Sequence, residues 1–249
     1  MYFRAVLIIG VMLCCFHSVN ADTDSLSKSI PIVTETFPPF EYELNGEVVG
    51  SDTRVVRQVL KRMGYQADIK LIPWVRAQKY TQLGRVAAIY SLTKSPEREQ
   101  YLYFSDPISY VQDMFFKRAD RDIQWQVMAD LSPYTIGVSK GYSYPQVFMA
   151  ALKRNQFKKV TYLTGETLEL RHLRRLKAGF IDLSICEISV CQYLIQQHAP
   201  EFDMIDVINQ PVGERRSYHI AFSKNWPNSE ALLAAFNSEL KTYLKERNP

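Results

Sequence analysis

Cysteine and histidine are scarce in this chain, and so are long apolar runs. Of the four cysteines, Cys14 and Cys15 lie in the N-terminal apolar segment, which leaves Cys186 and Cys191 for the rest of the chain. No further Cys or His stands near that pair at zinc-ligand spacing, so neither a metal nor a cofactor is expected. After residue 21 no stretch approaches the ~20 apolar residues of a membrane-spanning helix. An excess of one charge is missing too. The net charge is +4, falls to +3 without Arg4, and is spread along the chain. That argues against the clustered basic face of a nucleic-acid binder. The basic run at Arg171, His172, Arg174, Arg175 and Lys177 reads as a solvated helix face. Neither paired carboxylates nor a nucleophile–base pair stands out by spacing, so no catalytic residue is assigned and a non-enzyme is expected.

What is present begins with an address. Met1 to Arg4 is a short basic stretch, Ala5 to Phe16 is apolar, and Val19-Asn20-Ala21 fits a small-residue cleavage site. Residues 1–21 are therefore expected to be a signal peptide, and the mature chain to be periplasmic. A lipoprotein signal fits less well, because Leu13 precedes Cys14 where a small residue is wanted. In an oxidising compartment Cys186 and Cys191 are spaced to form a disulfide, and two reduced thiols fit the spacing equally. The remaining length can bury a large core as one domain or as two lobes.

Along the mature chain, Ile30 to Thr34 reads as a strand, broken by Phe37-Pro38-Pro39-Phe40. Aromatics on a proline-fixed loop suit a pocket wall, since their placement costs little further entropy. Extended chain to Leu44 then meets an Asn45-Gly46 turn. Val55, Val56, Val59, Leu60 and Met63 form one helical face that stops at Gly64. Pro73-Trp74-Val75-Arg76 opens another helix, ended near Gly84. Helix, glycine, buried strand and polar strand end then recur at Thr164–Ala178, Gly179, Ile181–Ile185 and Glu187. This echo suggests two similar halves that present loops at strand C-terminal edges, where open α/β sheets bind ligands. A last helix is expected over Ser229–Lys245.

After a short apolar run, Val86 to Tyr90, that reads as a buried strand comes SLTKSPEREQYLYFSDP, Ser91 to Pro107. Ser95 is placed as a helix N-cap, with Pro96 at the first helical position. Arg98 in the first turn opposes the helix dipole, a cost that is offset if it faces an anion. Ser91 and Thr93 add hydroxyl donors upstream.

Ser-x-Thr-x-x-x-x-Arg followed by Phe104-Ser105-Asp106-Pro107 resembles the signature of periplasmic solute-binding proteins of family 3, the polar amino-acid type that serves ABC transporters. The resemblance covers nearly all of the mature chain. It implies an α/β, two-lobe, type II binding protein, with a hinge of two crossover strands and the C-terminal helix on lobe one. Lobe one would span 22–112 and 212–249, with lobe two, 113–211, inserted between them. The crossovers would be Ile108 to Lys117 and Gln210 to Phe222, with Arg215 or Arg216 near the cleft and no local reason to choose between them.

The resemblance also assigns ligand-binding roles. Ser91, Thr93 and Arg98 would hold the α-carboxylate of an amino acid or related small zwitterion. Glu187 would meet its ammonium, in a place where Asp is commoner. Phe37 would cover the ligand, with Tyr42 a weaker candidate for the same wall. Trp74 would stack on the ligand, and Arg76 would hold a second acidic group. Tyr142 and Ser143 would bring hydroxyls from lobe two, and Tyr142 is bulkier than the usual Thr or Ser. Asp182 would serve the scaffold. The expected partners are a small-molecule ligand and a membrane permease of an ABC importer, with the protein itself a monomer. Cyclohexadienyl dehydratases resemble the same fold, so an enzyme with Glu187 as general acid is the alternative, and a ligand sensor for a membrane receptor is another.

Overall fold

The structure is a computed structural model and describes residues 28–247. The expected signal peptide, residues 1–21, lies outside the described residues. The chain opens with β1 (Lys28–Thr34). A hairpin follows, β2 (Tyr42–Leu44) and β3 (Glu47–Val49), turning on Asn45 and Gly46 at φ 53° and 81°. An Asn-Gly pair takes that left-handed geometry with little strain. Then come α1 (Ser51–Arg62), β4 (Tyr65–Leu71), α2 (Trp74–Gln82), β5 (Ala88–Leu92), the short α3 (Pro96–Glu99), β6 (Leu102–Phe104) and β7 (Ser109–Val111). The next stretch holds β8 (Asp113–Arg118), β9 (Thr135–Ser139), α4 (Gln146–Lys153), β10 (Lys159–Leu163), α5 (Leu168–Lys177), β11 (Leu183–Glu187), α6 (Ile188–Gln197) and β12 (Ile205–Pro211). The chain closes with β13 (Arg216–Ser223) and α7 (Ser229–Arg247).

Two sheets result, one per lobe. The first runs β4-β1-β5-β13-β6, with β7 also on β13, and the second runs β10-β9-β11-β8-β12. In each, three neighbouring strands are parallel: β4, β1 and β5 in one, β10, β9 and β11 in the other. Their C-terminal ends share an edge, as the βαβ connections require. Two crossings join the lobes. The chain leaves through β7 and β8 and returns through β12 and β13. The crossings run side by side, because β7 pairs with β13 and β8 with β12, both antiparallel. Helix α7 packs on α1, β13 and β6 of the first lobe, burying Leu232, Phe236, Leu240 and Tyr243.

Some element bounds differ from the sequence reading. Helix α4 begins only at Gln146, with Pro145 at its N-cap position, so Ser143 does not cap it. Helix α5 starts at Leu168 rather than Thr164, after Thr167 in the left-handed region at φ 51°. The strand expected at Ile181–Ile185 is displaced to Leu183–Glu187, and Asp182 precedes it. The Asp182 carboxylate accepts the Thr135 N–H at 2.8 Å and lies 3.3 Å from Arg121, a scaffold role. On α5 the basic face is exposed at Arg171, Arg174 and Lys177, while His172 is buried.

Cys186 and Cys191 form a disulfide, Cα–Cα 6.3 Å, tying the end of β11 to the first turn of α6. The loop it closes is short, so chain entropy puts its contribution at about 2 kcal/mol. Reductant should lower the midpoint of thermal unfolding by about 4–8 °C at this chain length. A melt unchanged by reductant would show that the tie contributes nothing to stability.

Candidate functional site

The two sheet edges enclose a cleft of about 490 Å³, within the range of small-molecule pockets. Lobe one supplies the ends of β1 and β5 and the start of α2. Lobe two supplies the loop after β9, the start of α5 and the end of β11.

Arg98 sits where its cap puts it. Ser95 Oγ accepts the Arg98 N–H at 3.3 Å, and Pro96 begins the turn. The guanidinium is 5% exposed. Its Nη1 donates to the Thr93 carbonyl at 2.9 Å and to Thr93 Oγ1 at 3.3 Å, and its Nη2 donates to the Gly141 carbonyl at 3.1 Å. It lies 5.6 Å from the centre of the Trp74 ring. Among the described residues no carboxylate pairs with it. Burial accordingly pulls its pKa below the ordinary value.

Trp74 and Arg76 part company. Residues two positions apart on a helix are about 200° apart around its axis. Trp74 therefore faces the cleft while Arg76 is exposed on the far side and does not join the site. Gln78, one turn on from Trp74, does share its face. Trp74 Nε1 and Gln78 Nε2 donate to the Gly141 carbonyl at 3.0 and 3.3 Å. With Arg98, three lobe-one donors thus converge on one lobe-two oxygen. Gly141 holds φ +83°, and a Cβ there would lie 3.1 Å from Gln78 Nε2.

Beside that carbonyl, Tyr142 inserts between Phe37 and Trp74. Its ring lies edge-on to both, at 6.0 and 6.2 Å between centroids and 80° between planes. Tyr142 lies close enough to Glu35 to hold its pKa down against burial. Ser143 lines the cleft, and its carbonyl accepts from Arg216 Nη1 at 2.6 Å. Tyr42 instead packs on Tyr193 at 5.7 Å and does not line the cleft.

Acids outnumber bases in this space. Glu35, Glu41, Asp113, Glu169 and Glu187 line it, against Arg98 and Arg216. Asp113 is spoken for by Arg216, whose Nε and Nη2 both donate to Asp113 Oδ2. Burial pushes Glu35 up to about 8, helped by the like charge of Glu169 and opposed by Tyr142. Glu169 also rises to about 8, by burial against a bond from Ser139 Oγ at 3.2 Å. Its Oε2 has no partner among the described residues. Glu187 rises to about 7 by burial, although its carboxylate caps α6 through the Val190 N–H at 3.0 Å. It is cleft residue and helix cap at once.

Ser91 is not free for a carboxylate. Its Oγ lies 2.5 Å from Glu41 Oε2 and 3.0 Å from Asp52 Oδ2. One hydroxyl proton cannot serve both, so one acid must supply a proton. Burial and Asp52 push Glu41 well above the usual range, and burial brings Asp52 to about 6. Of the trio assigned to a carboxylate, Thr93 and Arg98 remain available.

These shifts fix the sign of a pH effect. Glu35, Glu169 and Glu187 keep protons in the fold that they lose, near pH 4.5, on unfolding. The native state binds more protons between about pH 4.5 and 8, so stability falls as pH rises through that window. Each such group contributes up to about 1.4 kcal/mol per pH unit. Melts of the ligand-free protein at pH 5.5 and 8 should show the lower midpoint at pH 8. A higher midpoint at pH 8 would mean that these acids are ionised in the fold.

The structure thus brings Phe37, Trp74, Ser91, Thr93, Arg98, Tyr142, Ser143 and Glu187 to one cleft and leaves out Arg76. Of the two return-linker arginines, Arg216 lines it, and Arg215 lies over Tyr110 at 5.2 Å. Sequence reasoning missed Glu35, Glu41, Asp113, Tyr144, Glu169 and Tyr218. A usable signal existed for some: Glu35 directly follows β1, and Asp113 stands beside an apolar strand. Glu169, Cys186 and Cys191 also lie within 4.8 Å of one another. With the sulfurs bonded to each other, however, the cluster offers no thiolate to a metal.

Comparison with known proteins bears on this arrangement. The family model for bacterial extracellular solute-binding proteins, family 3, matches residues 30–248. The arginine-binding extracellular protein ArtP of Bacillus subtilis (strain 168) is 26% identical over 140 residues, 55% of this chain. The chain spans about half the length of that curated relative, 53%. Among solved structures, an ancestral arginine-binding protein bound to arginine aligns with TM-score 0.74 and 22% identity, over 87% of this chain and 92% of that one. The arginine-bound form of truncated ArgBP from T. maritima gives 0.71 and 20%, over 88% and 97%. A histidine kinase sensor domain with similarity to periplasmic binding proteins gives 0.77 and 20%, over 89% and 92%. At these identities the structural likenesses establish the fold, a type II periplasmic binding protein.

Proposed function

The chain belongs to the bacterial extracellular solute-binding proteins, family 3, and from that premise we propose that it captures an amino acid or related small zwitterion between its lobes for ABC-type import. One observation carries the reading. Arg98 is buried, charged and met only by neutral acceptors and an aromatic face. An uncompensated buried charge is costly, and a ligand carboxylate is the group that offsets it. Thr93 shares that anchor. Across the cleft, Glu187 and Glu169 are suited to an ammonium, whose arrival would draw their pKa values down. Closure then follows from differential affinity, since both ligand ends are met only when the lobes meet.

The test is a thermal-shift panel of the mature protein with L-amino acids, each beside its decarboxylated amine and its deaminated acid. A ligand at 100 times its Kd stabilises by about 2.7 kcal/mol, or roughly 5–10 °C here. Only compounds with both groups should shift the melt. Amines that bind as tightly as their parent amino acids would sink the carboxylate anchor. Transport of the hit by vesicles carrying a candidate ABC permease tests the partner. Glu187, buried in a cleft and pushed up to about 7, also suits a general acid. Turnover of prephenate or arogenate by the mature protein would decide for that dehydratase reading.

A further inference from the structure

Tyr142 stands where a ligand side chain would stack. Phe37 and Trp74 come from lobe one and frame an aromatic slot whose occupant, the Tyr142 ring edge-on to both, comes from lobe two. On the other side of that ring lies a second cavity of about 340 Å³. It is walled by Pro38, Leu168, Leu170, Val190 and Leu194, and shares Phe37, Tyr142 and Glu169 with the main cleft. Tyr142 is therefore a partition between two spaces. Glu169 reaches both, with its Oε2 unpartnered.

Resting on the zwitterion reading above, we propose that Tyr142 sets the length of the ligand side chain. It occupies the aromatic slot from within and closes the way to the second cavity. The native protein then takes amino acids with short side chains. Removal of the ring joins the two spaces that Glu169 borders and gives a long side chain room to meet its Oε2. The side chains gained are those with an apolar stem, which the second cavity accepts, and above all those that end in a hydrogen-bond donor for Glu169. The ring contributes through bulk and the hydroxyl does not, so the two are separable. Tyr142→Phe keeps the partition and loses only the hydroxyl.

Wild type, Tyr142→Ala, Tyr142→Thr and Tyr142→Phe are compared by thermal shift against glycine, alanine, serine, lysine, arginine and tryptophan. p-Cresol, which matches the deleted ring, is the added probe. Circular dichroism selects the variants that fold, and Tyr142→Thr stands in if the alanine variant does not. Wild type and Tyr142→Phe should respond to the short side chains at least tenfold more tightly than to lysine, arginine or tryptophan. The truncated variants should gain the long ones and be stabilised by p-cresol, which wild type ignores. A wild type that takes tryptophan or arginine as tightly as alanine overturns the proposal. So does a folded truncated variant that ignores p-cresol and keeps the wild-type ranking. If no amino acid shifts any protein, the zwitterion reading fails. The p-cresol arm then still decides whether Tyr142 closes the slot.

Discussion

Arg98→Ala should abolish ligand-induced stabilisation while leaving the free protein folded. Truncating one partner of a buried, hydrogen-bonded charge pair costs about 2–5 kcal/mol of binding, which is roughly 30- to 4,000-fold in Kd. The free protein responds differently, because Arg98 has no carboxylate partner to strand. Its removal forfeits the bonds to Thr93 and Gly141 but also relieves a buried charge, so the melt of the empty protein should move by only a few degrees. Arg98→Lys is no rescue, since a point charge cannot span Thr93 and Gly141 as the fork does. Calorimetric titration with the best panel hit checks this. A Kd within about threefold of wild type in Arg98→Ala would remove Arg98 from the site.

Arg216→Ala should have the opposite profile and destabilise the empty protein. Arg216 opens β13 and Asp113 opens β8, so their ion pair ties the outgoing crossing to the returning one. Asp113 is almost fully buried, and burial already pushes its pKa up against the pull of Arg216. Removing the cation leaves that carboxylate uncompensated, at a cost of about 3–5 kcal/mol. At 2–4 °C per kcal/mol the midpoint should fall by roughly 6–20 °C. The double change Asp113→Asn with Arg216→Met should recover most of the loss, because apolar and neutral replacements remove both desolvation penalties together. A fall below about 2 °C in the single variant would show that the pair does not hold the crossings.

Local chemistry was legible where it depends on neighbours along the chain. The Asn45-Gly46 hairpin, the cap at Ser95 and the apolar face of α7 each follow from spacing alone. The family signature led to Arg98 and to the lobe-two loop at Tyr142. What stayed hidden depends on register and edge. Arg215 directly precedes the strand that Arg216 opens, and successive residues of extended chain face opposite ways, so only the pairing of β13 decides which turns inward. Glu35 and Glu41 flank one loop of lobe one and Glu169 comes from lobe two, so they become one acidic wall only when the lobes meet. The error at Arg76 was avoidable, since helical spacing already separates it from Trp74.

The oxygen that receives Trp74, Gln78 and Arg98 belongs to the backbone. No substitution at residue 141 deletes it, although one can misplace it. On the proposed reading, a lineage of such proteins can therefore exchange the side chains at 142 and 143, and with them the solute, while keeping the contact that joins the lobes across the cleft. New specificities would then be reached by few mutations, each keeping that contact.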